Sequence, residues 1–306
     1  MKILVTGGAG FIGSHIVDAY VAAGHEVVVL DDLSSGRTEN VHREARLVQL
    51  DIREKAAREL IRQERPDVLN HHAAQMDVRR SVADPRFDAD VNLIGFLNVL
   101  EGAREAGVGR VIFASSGGAV YGDREELPTT ENDPTEPVSP YGVSKRAGEL
   151  YLHFYHVSHG LPYVALRYAN VYGPRQDPHG EAGVVAIFTQ RLLSGEQSVI
   201  NGDGTQTRDY VYVGDVAAAN VAALQTDFVG PVNIGLARET DVNQLYELLR
   251  EAAGVTASAT HGPAKAGEQR RSVIDASRAR HVLGWVPRTQ LADGLREVVA
   301  FFRARH

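Results

Sequence analysis

Short apolar runs alternate with amphipathic stretches through the first half of the chain. KILVT, EVVVLDD, LVQLD, DVLNHHA and RVIFASS read as strands, and FIGSHIVDAYVAAG reads as a helix ended by Gly24. Buried strands separated by amphipathic helices predict an α/β fold with a doubly wound parallel sheet. Ligands of such sheets lie beyond the carboxyl ends of the strands, so chemistry is expected after Thr6, Leu30, His72, Ala114 and Arg167. Beyond LPYVALRYANVYGP the pattern loosens. DPHGEAGVV and INGDGTQTRDYVYV are glycine-rich and polar, as loops over a site would be, and the tail from Asp241 shows two helical patterns around a strand-like RRSVID. This predicts a large domain over 1–170 with a return at about 209–236, and a smaller discontinuous α/β domain over 171–208 and 237–306.

Composition narrows the chemistry. The 306 residues, 43% of them hydrophobic, suffice for a large core, and a net charge of −7 offers no footprint for nucleic acid. Without cysteine there is no thiol nucleophile or thiolate metal site. The opening MKILVTGGAG holds only a four-residue apolar run, and no apolar stretch of eighteen follows, so a cytoplasmic protein with no membrane contact is expected. Only Lys2, Lys55, Lys145 and Lys265 are lysines among 32 cations; a compact ammonium reaches hydroxyl groups that a broad guanidinium does not.

Two motifs stand where the sheet predicts chemistry. TGGAGFIG follows the first strand and opens the first helix, and Gly7, Gly10 and Gly13, with Phe11 and Ile12 between them, match a dinucleotide fingerprint; Gly8, Gly10 and Gly13 match its other spacing. Asp31 ends the second strand at the distance where an acid takes the adenosine ribose hydroxyls, and Asp32 beside it would repel a 2′-phosphate, which favours NAD. In SPYGVSKRAGELY, Ser139 is a good N-cap and Pro140 fits the first helical position. Tyr141 and Lys145 are then i and i+4 neighbours, and the helix dipole and ammonium both favour phenolate, as a proton-abstracting tyrosine would need. On the motif alone, a half-buried helix with a snorkelling lysine is an equal reading.

Together the fingerprint and YxxxK make the chain resemble the short-chain dehydrogenase/reductase superfamily, at the length of its extended members. The resemblance implies a Rossmann domain, Tyr141 as catalytic acid/base, Lys145 on the nicotinamide ribose, and a serine after the fifth strand: Ser116 in FASSGGAVYG, with Ser115 as the alternative. It further implies adenine contacts from Asp51 and Ile52, pyrophosphate contacts from Ala73 and Ala74, a supporting role for Asn92 and a nicotinamide contact from Tyr168. Met76 departs from relatives that carry a lysine there.

LRYANVYGPRQ, GDGTQTRDYVYVGDVA, KAGEQRRSVIDASRA and LGWVP are most similar to the UDP-glucose (UDP-galactose) 4-epimerases. By that resemblance Asn170, Arg208, Lys265 and Glu268 hold the nucleotide diphosphate sugar, Ser116 contacts the sugar, and relatives often pair as homodimers through the YxxxK helix and the helix near Asp88–Ala106. Ser272 falls where a bulkier residue closes the pocket against N-acetyl groups, which extends the expected substrates to UDP-GlcNAc and UDP-GalNAc; the alternative is that it merely starts a strand. The rivals are a dehydratase, a decarboxylase and a non-catalytic NAD-binding module. A 4,6-dehydratase carries an Asp-Glu pair where this chain has Gly117 and Gly118, or Gly118 and Ala119. No metal site is expected, since His153, His156 and His159 drift around their helix.

Overall fold

A computed structural model of the chain describes residues 1–178, 183–264 and 269–305. The first half supplies strands β1 (Lys2–Thr6), β2 (Glu26–Asp31), β3 (Arg46–Gln49), β4 (Val68–His71), β5 (Arg110–Ser116) and β6 (Tyr163–Tyr168). Between them run helices α1 (Phe11–Ala22), α2 (Lys55–Glu64), α3 (Val78–Ala83), α4 (Pro85–Ala89), α5 (Phe96–Ala106) and α6 (Pro140–His159). The second half is more broken: β7 (Asn170–Tyr172), α7 (Val184–Ser194), β8 (Val199–Asn201), β9 (Thr207–Arg208), β10 (Tyr210–Tyr212), α8 (Val213–Ala223) and β11 (Gly230–Ile234). There follow β12 (Thr240–Asp241), α9 (Val242–Ala253), β13 (Thr260–Gly262), β14 (Arg271–Ser272), α10 (Ser277–Leu283) and α11 (Leu291–Arg303).

Seven strands form one parallel sheet in the order β11-β6-β5-β4-β1-β2-β3. The strands read as continuous apolar runs because both faces are covered. On one face Ile3, Val5, Ile16, Val164 and Leu166 pack with α1 and α8; on the other, Leu4, Ile61, Phe96, Leu100 and Phe113 pack with α2, α5 and α6. Strand order reverses between β1 and β4, opening a crevice at their carboxyl ends. A third apolar cluster, including Tyr172, Phe188, Leu245, Tyr246 and Leu295, lies in the second half of the chain.

Two expectations need correction. The helix expected near Asp88–Ala106 is α4 and α5 joined by a π-helical segment, Asp90–Gly95, a distortion that apolar spacing does not register. Among its described residues the tail contains three helices rather than two; α10 spans seven residues and buries Ala279 alone, too little to raise an amphipathic pattern.

Candidate active site

The glycine loop closes the crevice as tightly as backbone allows. Gly7 has φ +70, and a Cβ there would lie 2.5 Å from the Ala73 nitrogen; one on Gly13 would lie 2.1 Å from the Gly7 carbonyl oxygen. The turn is therefore made at Gly7, with Gly10 and Gly13 seating α1 on it. Gly10 is the N-cap and supplies no side chain, which leaves the N–H groups that open α1 at Phe11 and Ile12 for an anionic ligand. Asp31 is buried; one oxygen accepts the Ala9 N–H at 2.9 Å, the other the Leu33 N–H at 2.8 Å, and each keeps acceptor capacity for a hydroxyl. Burial pushes its carboxyl upward. Asp32 is exposed beside it and accepts from the Ser34 N–H. Asp51 is clasped by Arg53 at 3.0 Å, which holds its carboxyl below the usual range, and Ile52 is buried next to it.

Ala73 and Ala74 follow β4 directly, and the Ala73 N–H donates to Thr6 Oγ1 at 3.3 Å. Asn92, in the π segment, donates to the Gln75 carbonyl at 2.9 Å and to Asp88 at 3.0 Å and accepts the Gln75 N–H at 2.9 Å, so it holds this loop from behind. The Tyr168 hydroxyl is turned into the protein, between Asn220 Nδ2 at 2.8 Å and His72 Nε2 at 3.0 Å; its ring stacks on His72 and its carbonyl accepts the Gly117 N–H at 2.8 Å, so the residue is buried in the sheet. A glycine cradle, uncapped helix amides and a buried acid at the second strand fit a dinucleotide. Met76 is exposed.

At the next strand end, Ser139 caps α6 by accepting the Gly142 N–H at 3.2 Å, and Pro140 opens it. The Tyr141 N–H donates to Ser81 Oγ at 3.2 Å, so α3 also fixes this turn. The Tyr141 side chain lies beside Ser116, whose hydroxyl favours the ionised phenol. Ser115 points elsewhere, donating to Glu149 at 2.7 Å within a buried pair with Arg167. Lys145 Nζ donates to the Ala114 carbonyl at 2.9 Å and stands 5.7 Å from the Tyr141 ring centre. The expectation of a favoured phenolate does not hold here. Burial pushes Tyr141 up to about 12, Ser116 opposes this, and Asp88 adds to it. Burial also pulls Lys145 down to about 8, against the pull of Asp88. Desolvation dominates, and in the cofactor-free protein the phenol is protonated at neutral pH.

Residues expected on the sugar side converge on Gly118. A Cβ there would stand 3.8 Å from Asn170 Oδ1 and 4.0 Å from both Ser116 Oγ and Ser272 Oγ, so these three line one space beside Tyr141. Arg208 faces Ser272 in the β9–β14 register. Lys265 and Glu268 lie outside the described residues. Gly117 has no room for a side chain: its Cβ would meet Ile274 at 2.7 Å. His156 and His159 pack on Tyr163 and Tyr155.

Sequence reasoning missed Asp88 and Asp209. Asp88, 1% exposed, accepts from Gln75 Nε2 at 3.1 Å and from Asn92, and it acts electrostatically on both Tyr141 and Lys145. Nothing local in FDADVN marks a buried acid. Asp209 sits inside a recognised motif, but its partners are distant in sequence.

Known proteins agree with this geometry. The pattern of the NAD dependent epimerase/dehydratase family matches residues 3–235. The UDP-glucose 4-epimerase of Mycolicibacterium smegmatis is 48% identical over 99% of both chains. The crystal structure of a Thermotoga maritima UDP-glucose 4-epimerase with UDP-glucose superposes with a TM-score of 0.97 at 47% identity, covering 100% of this chain and 99% of that one. That of the Thermus thermophilus enzyme complexed with NAD gives 0.95 at 45%, over 99% of each. With the family pattern matched over residues 3–235 and the fold and nearly the full length shared with these relatives, the chain belongs to the NAD dependent epimerase/dehydratase family.

Proposed function

We propose that this protein interconverts UDP-glucose and UDP-galactose by NAD-dependent 4-epimerisation through a transient 4-keto sugar. The observation that carries this reading is the space at Gly118, where Ser116, Asn170 and Ser272 converge beside Tyr141 and where positions 117–119 offer no acid or base. A dehydratase needs such a group to move a proton at C5; oxidation and re-reduction at one carbon do not. The full-length likeness to UDP-glucose 4-epimerases supports the same choice.

Gly7, Gly10, Phe11, Ile12 and Gly13 would cradle the pyrophosphate of NAD, with Ala73 and Ala74 opposite, Asp31 on the adenosine ribose, Asp51 and Ile52 at the adenine, and Tyr168 and Lys145 at the nicotinamide end. Bound NAD supplies reversible hydride acceptance. Tyr141 would be the acid/base for the C4 hydroxyl: the positive charge of bound NAD and the Lys145 ammonium would have to offset the burial that holds its phenol protonated before it takes that proton and later returns it, while Ser116 would hydrogen-bond the C4 oxygen as charge develops there. Lys145 stays charged beside the site, held on the Ala114 carbonyl. Asn170, Arg208 and Ser272, with Lys265 and Glu268, hold the nucleotide sugar, so that residues 1–170 and 209–236 carry the cofactor site and lend Ser116 and Asn170 to the sugar, while 171–208 and 237–306 serve the substrate. The serine at 272 leaves room for a 2-acetamido group, which extends the substrates to UDP-GlcNAc and UDP-GalNAc. Leu150, Phe154 and Val157 are 50–69% exposed along α6, an apolar stripe that fits a second copy; light scattering should give twice the chain mass.

The direct test incubates the purified protein with UDP-galactose and, separately, dTDP-glucose, with and without added NAD, and follows products by NMR. UDP-glucose is the expected product. A 6-deoxy-4-keto sugar from dTDP-glucose, or no turnover in any arm, overturns the reading.

A further inference from the structure

Asp209 lies between β9 and β10 and is 1% exposed. Its carboxylate is met by backbone N–H groups: Leu236 at 3.0 and 3.1 Å, Ala237 at 3.1 Å, and Ile274 at 3.5 Å. Its own N–H donates to the Ser272 carbonyl at 2.9 Å, and its carbonyl accepts the Asn170 N–H at 2.9 Å. One residue is thus bonded to the passages that follow β6, β11 and β14, which, with its own, link the seven-stranded sheet to the third apolar cluster. Those passages carry the candidate substrate residues: Asn170 in one, Ser272 two positions before Ile274, and Arg208 adjacent to Asp209 itself.

The fit is close. A Cβ on Gly235 would lie 2.5 Å from Asp209 Oδ2 and 2.8 Å from Ile274. Ala237 holds φ +55, a left-handed conformation that a non-glycine residue keeps only when its surroundings impose it, and its N–H is one of those bound to Asp209. Burial pushes the carboxyl up to about 6, so at neutral pH the group is an anion in a ring of amide donors.

We propose that Asp209 is a positioning residue for the nucleotide-sugar site: its buried carboxylate latches the Leu236–Ala237 turn and Ile274 together, while its own N–H and carbonyl hold Ser272 and Asn170, so that Asn170, Arg208 and Ser272 face Ser116 and Tyr141. The proposal rests on the 4-epimerase reading for the identity of the substrate. An amide cannot replace the carboxylate, because its NH2 would meet N–H donors and leave buried groups unpaired.

The test compares wild type with D209N and G235A. G235A keeps the charge and displaces it sterically, and it decides the question if D209N does not fold. In either variant, hydrogen exchange at Leu236, Ala237 and Ile274 should accelerate about tenfold and KM for UDP-galactose should rise about tenfold, with kcat changed less than about threefold and the Kd for NAD within about twofold. Faster exchange with an unchanged KM overturns the proposal, as does a parallel loss of kcat, substrate affinity and NAD affinity. If wild type leaves UDP-galactose unchanged, the epimerase reading falls; the latch is then judged on UDP affinity, and faster exchange with equal UDP affinity overturns it.

Discussion

The cofactor side and the sugar side of this site are built in opposite ways. On the cofactor side, each functional cluster is a short contiguous piece of chain at the end of a sheet strand: the Gly7–Gly13 loop, Asp31, Ala73–Ala74, and the Tyr141–Lys145 turn of α6. On the sugar side, Asn170, Arg208 and Ser272 come from three passages up to 102 residues apart and meet only because β7, β9 and β14 are fastened around Asp209. A contiguous motif on a rigid sheet loses function when its own atoms change. A convergent site also loses it when the fastening changes.

The largest effect should come from the group proposed to move the proton. Y141F should lower kcat by about 10²–10⁴ while Kd for NAD and the melting temperature stay near wild type, measured by coupled assay, titration calorimetry and thermal unfolding. Retained turnover would remove Tyr141 from the chemistry and leave the cofactor side as a binding surface only. Next is G13A. With a Cβ 2.1 Å from the Gly7 carbonyl, the loop must shift, and NAD affinity should fall about tenfold or more, with UDP affinity of the folded protein unaffected. Equal losses of both affinities would show that the two sides are not separable.

S272Y fills the space at Gly118 from the sugar side. It should lower kcat/KM for UDP-GalNAc about tenfold more than for UDP-galactose, read as the ratio of initial rates. An unchanged ratio would return Ser272 to a plain strand residue. The smallest effect is a titration. With four lysines in the chain, 13Cε resonances can be resolved individually, and in the cofactor-free protein one should titrate near 8. In D88N that value should fall further, because the acid at 88 favours the ammonium. The sign for stability follows. Between about 8 and the unfolded value of 10.5, the unfolded chain holds a proton that folded Lys145 has lost, so this group's contribution to stability grows as pH rises through that window.

Sequence legibility divides along the same line. Ser139, Pro140, Tyr141 and Lys145 announce their helix and their shared face because capping and i,i+4 spacing are local. The glycine fingerprint is legible for the same reason. The choice between Ser116 and Ser115 was not, since alternation puts them on opposite faces and only the packing of Glu149 and Arg167 shows which face is which. Neither the π segment at Asp90–Gly95 nor the short α10 leaves a periodic mark. Asp209 was read as part of a motif without a task, because its amide partners lie 27 and 65 residues further along.

By itself, then, the sequence determined the alternating α/β order, the dinucleotide loop and the tyrosine–lysine turn, since these depend on backbone propensities and spacings of a few residues. The tertiary structure decided which serine lies beside Tyr141, that burial governs its proton, and that the passages carrying Asn170, Arg208 and Ser272 are joined at one residue, Asp209. Those depend on desolvation and on contacts between distant segments, which acquire values only when the chain is packed.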